Sequence, residues 1–215
     1  MASFDDKPQP RNEVPAPLFG LALGKQVDVN TTDILWLKDE LNIDNCPEHL
    51  SIQAVSKAEL GFGRVMERFY ASADVLIQVI YTGNPHVDNV EELTLFSYDA
   101  SHPCHSEAAI EEATLKMRAT TYEYGGQVYN RVFEDDHNGL ATLAEVDEDI
   151  DNSEGKNYNV YNHMMLFSRE LSDGTHELLL TALEDHGSNE VLFSIALGKH
   201  VNSTDLRVSK LAEQL

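Results

Sequence analysis

Short runs of branched and aromatic residues, separated by turn-forming stretches, dominate the pattern along this chain. Residues 65–71, 75–82 (VLIQVIYT) and 92–98 carry such runs in succession, with a TGNPHVDN loop before the third, and predict an antiparallel meander. A second set follows at 163–171, 176–184 and 190–198, broken by an Asp173-Gly174 turn and a DHGSN turn. Between the two sets the period changes. Residues 107–119 put Ile110, Ala113 and Met117 on one helical face, with Ser106 placed to cap and Gly125-Gly126 ending any continuation. Residues 127–133 and 140–146 predict a hairpin around Asp136-His137-Asn138-Gly139, because Asn-Gly tolerates the positive φ of a tight turn. Residues 147–159 (DEDIDNSEGKNYN) predict an acid-rich loop.

The ends are less regular. Pro8, Pro10, Pro15 and Pro17 mark 1–17 as a loose arm. A short apolar strand ending at Gly24 is expected next. Residues 34–41 read as a helix capped by Thr32, with Asp33 in its first turn, or equally as a strand, since ILWL has no clean period. Trp36 is expected to anchor the core. The stretch from Thr204 predicts a short helix with Val208, Leu211 and Leu215 on one side.

One phrase occurs twice: LFGLALGKQV at 18–27 and LFSIALGKHV at 192–201. The copies sit at non-equivalent places, which argues against a duplicated fold. They predict two similar strand ends closing on Gly24 and Gly198 within the same core. The expected fold class is α+β: predominantly antiparallel β in two meanders with one clear helix between them. The expected organisation is one domain, 18–215, behind the arm 1–17, with two β subdomains at about 18–100 and 125–203 as the alternative.

Composition changes this picture mainly through charge. Fifteen Lys and Arg against 37 Asp and Glu give a net charge of −22. Such a field repels phosphate backbones and anionic membrane surfaces, so no nucleic-acid partner is expected, and it attracts cations or a protein with a basic surface. No apolar run reaches the roughly 18 residues of a membrane span, so no membrane insertion is expected. The start MASFDDKPQP lacks the basic and apolar pattern of a secretory signal. Two cysteines do not make a disulfide scaffold. Together these features predict a soluble cytoplasmic protein.

Two constellations offer metal chemistry. Glu134-x-Asp136-x-Asn138-Gly139 with Glu145 in twelfth place has the spacing of a calcium loop, but Glu stands where Asp is usual, Ala141 occupies the branched apolar position, and the flanks read as strands. Asp147-x-Asp149-x-Asp151 fails at once, with Asn152 in place of Gly and Tyr158 in place of the closing Glu. Loose association of divalent cations with the 134–154 acids is the expectation there. Cys46-x-x-His49 and His102-x-Cys104-His105 supply soft ligands of the kind zinc prefers, each half beside a loop-forming proline. Nothing in the sequence brings the halves together. Gly61-Phe62-Gly63 lacks the third glycine of a dinucleotide loop, His176-Glu177 lacks the second histidine of a zinc protease, and Asp185-His186-Gly187-Ser188 packs triad residue types too closely for triad geometry. No catalytic residue and no cofactor is assigned.

Five phrases carry a family resemblance: PLFGLALGKQVDV, ELGFGRVMERFYASADVLIQVIYTG, QVYNRVFED, MMLFSREL and HELLLTALEDHGSNEVLFSIALG. In order, from about Pro17 to Val201, they resemble the bacterial YjfK-like family, a domain of unknown function. The resemblance implies a cytoplasmic bacterial protein with no established activity, set beside phage-shock-type envelope-stress proteins. It supplies no site residues. The function expected is therefore that of a non-catalytic interaction or accessory factor. The alternative is a metal-binding protein or metal-dependent enzyme using the Cys/His cluster or the acidic hairpin.

Overall fold

Period-2 alternation builds strands long enough to curl and close. The computed structural model describes residues 17–43, 46–133, 139–187 and 190–209. Its strands are β1 (Gln26–Val29), β2 (His49–Gly61), β3 (Arg64–Ala71), β4 (Val75–Thr82), β5 (Val90–Pro103), β6 (Thr121–Tyr124), β7 (Gln127–Arg131), β8 (Ala144–Asn152), β9 (Asn157–Glu170), β10 (His176–Asp185), β11 (Val191–His200) and β12 (Leu206–Val208). The helices are α1 (Thr32–Trp36) and α2 (Glu107–Met117).

Eight strands form a closed antiparallel barrel in the order β2-β3-β4-β5-β11-β10-β9-β8, and β8 returns to β2 through pairs from Ala54–Asn152 to Lys57–Asp149. Closure leaves the eight staves without a free edge and encloses an interior of the size that eight strands fill with side chains or use to hold one small ligand. The remaining strands extend the sheet at two places. β1 and β12 continue it from the start of β2, and the β6–β7 hairpin continues it from the end of β9.

This corrects the α+β expectation of two meanders around a clear helix. Both strand sets belong to one sheet, and the pairings β5–β11 and β2–β8 close it. The acid-rich loop expected at 147–159 is largely strand. Val146, Glu148 and Ile150 point inward on β8, while Asp147, Asp149 and Asp151 face solvent. Alternation was present, but a carboxylate at an inward position hid it. α2 forms as its spacing predicts, with the Ser106 hydroxyl accepting from the Ala109 N–H at 3.2 Å. α1 is a single short turn that starts at Thr32, and its first N–H is met by Asn30 rather than by a Thr32 cap. Trp36 is 82% exposed, so it anchors no core. The helix expected from Thr204 is instead a 3-10 turn at Ser203–Asp205 followed by β12; Leu211 and Leu215 lie outside the described residues.

The repeated phrase has no common structure. Its first copy is a 3-10 turn at Leu18–Gly20 and a loop, whereas its second is barrel strand β11. Gly24 turns the chain at φ +77°, whereas Gly198 sits within β11, where a Cβ would run into the Phe96 ring. The likeness is chance.

Apolar clusters form on both sides of the barrel wall. Met66, Leu76, Ile80, Phe96, Leu178 and Leu180 form one inside the barrel. Outside, the N-terminal segment and β12 cover β2–β5 through Leu21, Val27, Ile34 and Leu206, and α2 with β7 covers β9–β11 through Met117 and Tyr129. β4 is consequently buried on both faces and reads as a continuous apolar run. A register shift in β2 between Ile52 and Ala54 lets Leu50 and Ile52 face the outer cluster while Ser56 and Ala58 face the interior.

Candidate functional site

An ion pair crosses the waist of the barrel. Arg68 of β3 and Glu148 of β8 are both inward-facing, with side chains 4% and 0% exposed. Arg68 Nη1 donates to Glu148 Oε1 at 2.5 Å, Nε donates to Gln78 Oε1 at 2.9 Å, and Nη2 donates to the Met164 sulfur at 3.0 Å. Glu148 also accepts from Asn162 Nδ2 at 3.0 Å, Ser56 Oγ at 2.6 Å and the Tyr70 hydroxyl at 2.8 Å. Five strands therefore contribute to one polar layer. Burying the two charges is tolerable because each is paired and its remaining hydrogen-bonding positions are met. Burial pulls the Arg68 guanidinium down in pKa, but the Glu148 carboxylate and the Tyr70 and Tyr98 rings outweigh it, and the net shift is upward. Burial pushes the Tyr70 phenol well above its ordinary value; Arg68 opposes this and Glu148 adds to it. The layer keeps its arginine a cation and its Tyr70 phenol neutral.

This layer divides the interior in two. Toward the β2–β3 turn lies a cavity of about 370 Å³, walled by Leu60, Met66, Ile80, Val146, Leu178 and Met164 and floored by Arg68 and Gln78. Its rim is mixed. Arg64 Nε donates to Glu91 Oε2 at 2.9 Å, His200 Nδ1 meets Thr94 Oγ1 at 3.0 Å, and Val132 and Phe133 are 41% and 53% exposed over the opening. The hairpin tip at this end holds Phe62 fully exposed at φ +53° between Gly61 and Gly63, which makes that glycine-rich triplet a turn. Toward the other end lies a cavity of about 220 Å³, lined by Tyr70, Tyr98, Tyr158, Glu184, His186 and Ser194, with Arg68 again at its base. Burial pushes the Tyr98 phenol well up, and the Glu184 carboxylate adds to the shift.

The Cys/His residues predicted from the sequence are not brought together. Cys46 packs against the N-terminal outer cluster, and Cys104 packs against the α2-side cluster. Burial pushes the Cys46 thiol up to about 11. His49 Nδ1 meets Asp28 Oδ1 at 2.7 Å in the open, and His102 and His105 are exposed. Among the described residues, no group of three His, Cys, Asp or Glu side chains is arranged to hold a metal ion. Of the calcium-loop candidates, Glu134, Asp136 and Asn138 lie outside the described residues, and Glu145 on β8 accepts from the Tyr161 hydroxyl at 2.7 Å. Asp147 and Asp149 both accept from Asn159 Nδ2, at 2.5 and 3.2 Å, as neighbours across β8–β9. Among the described residues, no helix is long and apolar enough to cross a membrane.

A second polar knot lies outside the barrel wall. Glu177, fully buried on β10, accepts from the Asn42 N–H at 2.6 Å, the Tyr129 hydroxyl at 2.7 Å and Arg169 Nε at 2.7 Å. It ties the segment after α1 to β7 and β9.

Reasoning from sequence missed the whole waist. Arg68, Gln78, Glu148 and Asn162 each interrupt an otherwise apolar inward face, and that repeated interruption was the available signal.

A family model described as "Protein of unknown function (DUF2491)" matches residues 3–207. The "Uncharacterized protein YjfK" of Escherichia coli (strain K12) is 30% identical over 196 residues, covering 88% of this chain and 90% of that protein. No solved structure matches the chain significantly.

Proposed function

The chain belongs to the DUF2491 family of unknown function, and from that premise we propose that it is a non-catalytic binding protein whose barrel takes up a small, largely apolar molecule through the β2–β3 end. The observation that carries this reading is the cavity of about 370 Å³, apolar on its walls and closed below by a saturated ion pair. Its size lies within the roughly 300–1,000 Å³ of small-molecule sites, and a few polar groups at rim and floor are what such sites use for orientation. The waist hydrogen bonds already occupy Arg68 and Glu148, so the pair acts as a floor and not as acid or base.

The test is titration with N-phenyl-1-naphthylamine, an uncharged fluorophore that brightens in apolar surroundings. One saturable site per chain is expected, lost when Met66→Trp fills the cavity in a protein that melts as the parent does. No brightening, or equal brightening in the filled variant, overturns the reading. A basic protein partner and a place in cytoplasmic envelope-stress machinery extend the same proposal. The first is supported by the net charge of −22 and the second by family resemblance alone. Capture of a partner that is released by salt supports the first, since electrostatic docking weakens with ionic strength.

A further inference from the structure

The smaller cavity has a different chemistry, and it does not depend on what the larger one binds. Three tyrosines (Tyr70, Tyr98 and Tyr158) line about 220 Å³ together with Glu184, His186 and Ser194. At roughly 30 Å³ per water, this is room for about seven waters or a small organic molecule.

Its charges do not balance. Arg68 at the base is neutralised by Glu148, and its three nitrogens are engaged with Gln78, Glu148 and Met164. Among the described residues Glu184 meets only His186 at ion-pairing distance, at 3.6 Å. Its side chain is only 18% exposed, and among the described residues no Lys or Arg nitrogen lies within ion-pairing distance of it. Ser194 donates its hydroxyl to Oε1. Oε2 faces His186 Nε2 at 3.6 Å, beyond hydrogen-bonding distance, and that nitrogen is buried with no hydrogen-bond partner among the described residues. Buried carboxylates are normally paired, and buried polar nitrogens are normally bonded. Here a half-buried carboxylate with no Lys or Arg partner among the described residues and a buried imidazole nitrogen with no hydrogen bond share a space walled by aromatic rings.

We propose that this cavity binds a small organic cation, a primary amine or quaternary ammonium, with its charge set against Glu184 among Tyr70, Tyr98 and Tyr158 and any hydroxyl it carries directed to His186. Tyrosine cages attract ammonium groups through the ring quadrupole, most strongly where water is excluded. The acidic field of the whole chain raises the local concentration of cations at the mouth. An anion would meet Glu184 and find Arg68 already engaged.

The test is calorimetric titration of the full chain at low ionic strength with choline, ethylammonium and tetramethylammonium. 3,3-Dimethyl-1-butanol serves as the uncharged shape-match for choline. At least one ammonium probe binds with one site per chain, and for choline the neutral alcohol binds at least tenfold more weakly. Glu184→Gln lowers ammonium affinity at least tenfold and leaves the alcohol unchanged. Tyr158→Leu, at a ring already 44% exposed, lowers ammonium affinity in a chain that folds normally. Naphthylamine binding in the larger cavity is unchanged in both variants, so loss of one site is separable from loss of the other. Absence of binding by every ammonium probe, equal binding of choline and its neutral match, or full ammonium affinity in Glu184→Gln overturns the proposal.

Discussion

Removing the carboxylate at the barrel waist leaves a buried guanidinium without its counter-charge. Glu148→Gln keeps the shape and one carbonyl acceptor. If that oxygen takes the place of Oε1, Arg68 and Asn162 keep an acceptor, and the Ser56 and Tyr70 hydroxyls can turn to accept from the new amide, so most hydrogen bonds survive and the charge is what is lost. Glu148→Ala removes the acceptor for all four donors as well. Breaking a buried ion pair from one side costs about 3–5 kcal/mol, so the glutamine variant falls near the lower figure and the alanine variant at or above the upper. For a chain of this size each kcal/mol moves the melting midpoint by roughly 2–4 °C, which places the two variants about 6–20 °C below the parent. The double variant Arg68→Met/Glu148→Leu removes both charges, and such replacements are often neutral or stabilising. It is predicted to lie above Glu148→Gln although it changes two residues. Urea unfolding followed by far-ultraviolet circular dichroism measures all four proteins. A Glu148→Gln loss below about 1 kcal/mol, of the size seen for exposed pairs, would show that the pair is not desolvated at the waist.

Cys46 gives a pH-dependent prediction. Burial raises its thiol from 9.0 unfolded to about 11 folded, so the stabilising contribution is complete below pH 9 and is lost as pH rises to 11. In a Cys104→Ser background, alkylation of Cys46 at pH 8.5 is expected to run about a hundredfold slower than in urea, following the thiolate fraction; equal rates would contradict the burial. Gly198→Ala pushes a methyl into the Phe96 ring and toward the Leu95 carbonyl. Overpacking of this kind costs about 1–3 kcal/mol, read as a lower urea midpoint with an unchanged slope, and an unshifted midpoint would contradict the interior packing.

Strand positions were legible because branched and aromatic runs bounded by turns mark β3, β4, β9, β10 and β11, and α2 was legible from Ser106 and its apolar face. Closure was not. It depends on the pairing of β8 with β2, about a hundred residues apart, and β8 carries acids at most outward positions and Glu148 at an inward one. A stave built that way looks like a solvated loop until its partner and Arg68 are in place. The candidate sites failed for a related reason. Metal-like spacing at Cys46, His49, His102, Cys104 and His105 is local, whereas the cavities are made of single side chains from many strands. Trp36 illustrates the limit of residue-type averages: a side chain that is usually buried sits on a short exposed turn.

An apolar ligand in the barrel interior on the β2–β3 side would lie against Met66 and Met164. The most direct test is methyl-13C-methionine NMR during titration with N-phenyl-1-naphthylamine. Met66 and Met164 line that cavity, while Met117, the last residue of α2, is buried outside the wall. The account predicts that the Met66 and Met164 methyl signals shift together to saturation while the Met117 signal stays still. Unmoved Met66 and Met164 signals at saturation, or a Met117 shift as large as theirs, would contradict it.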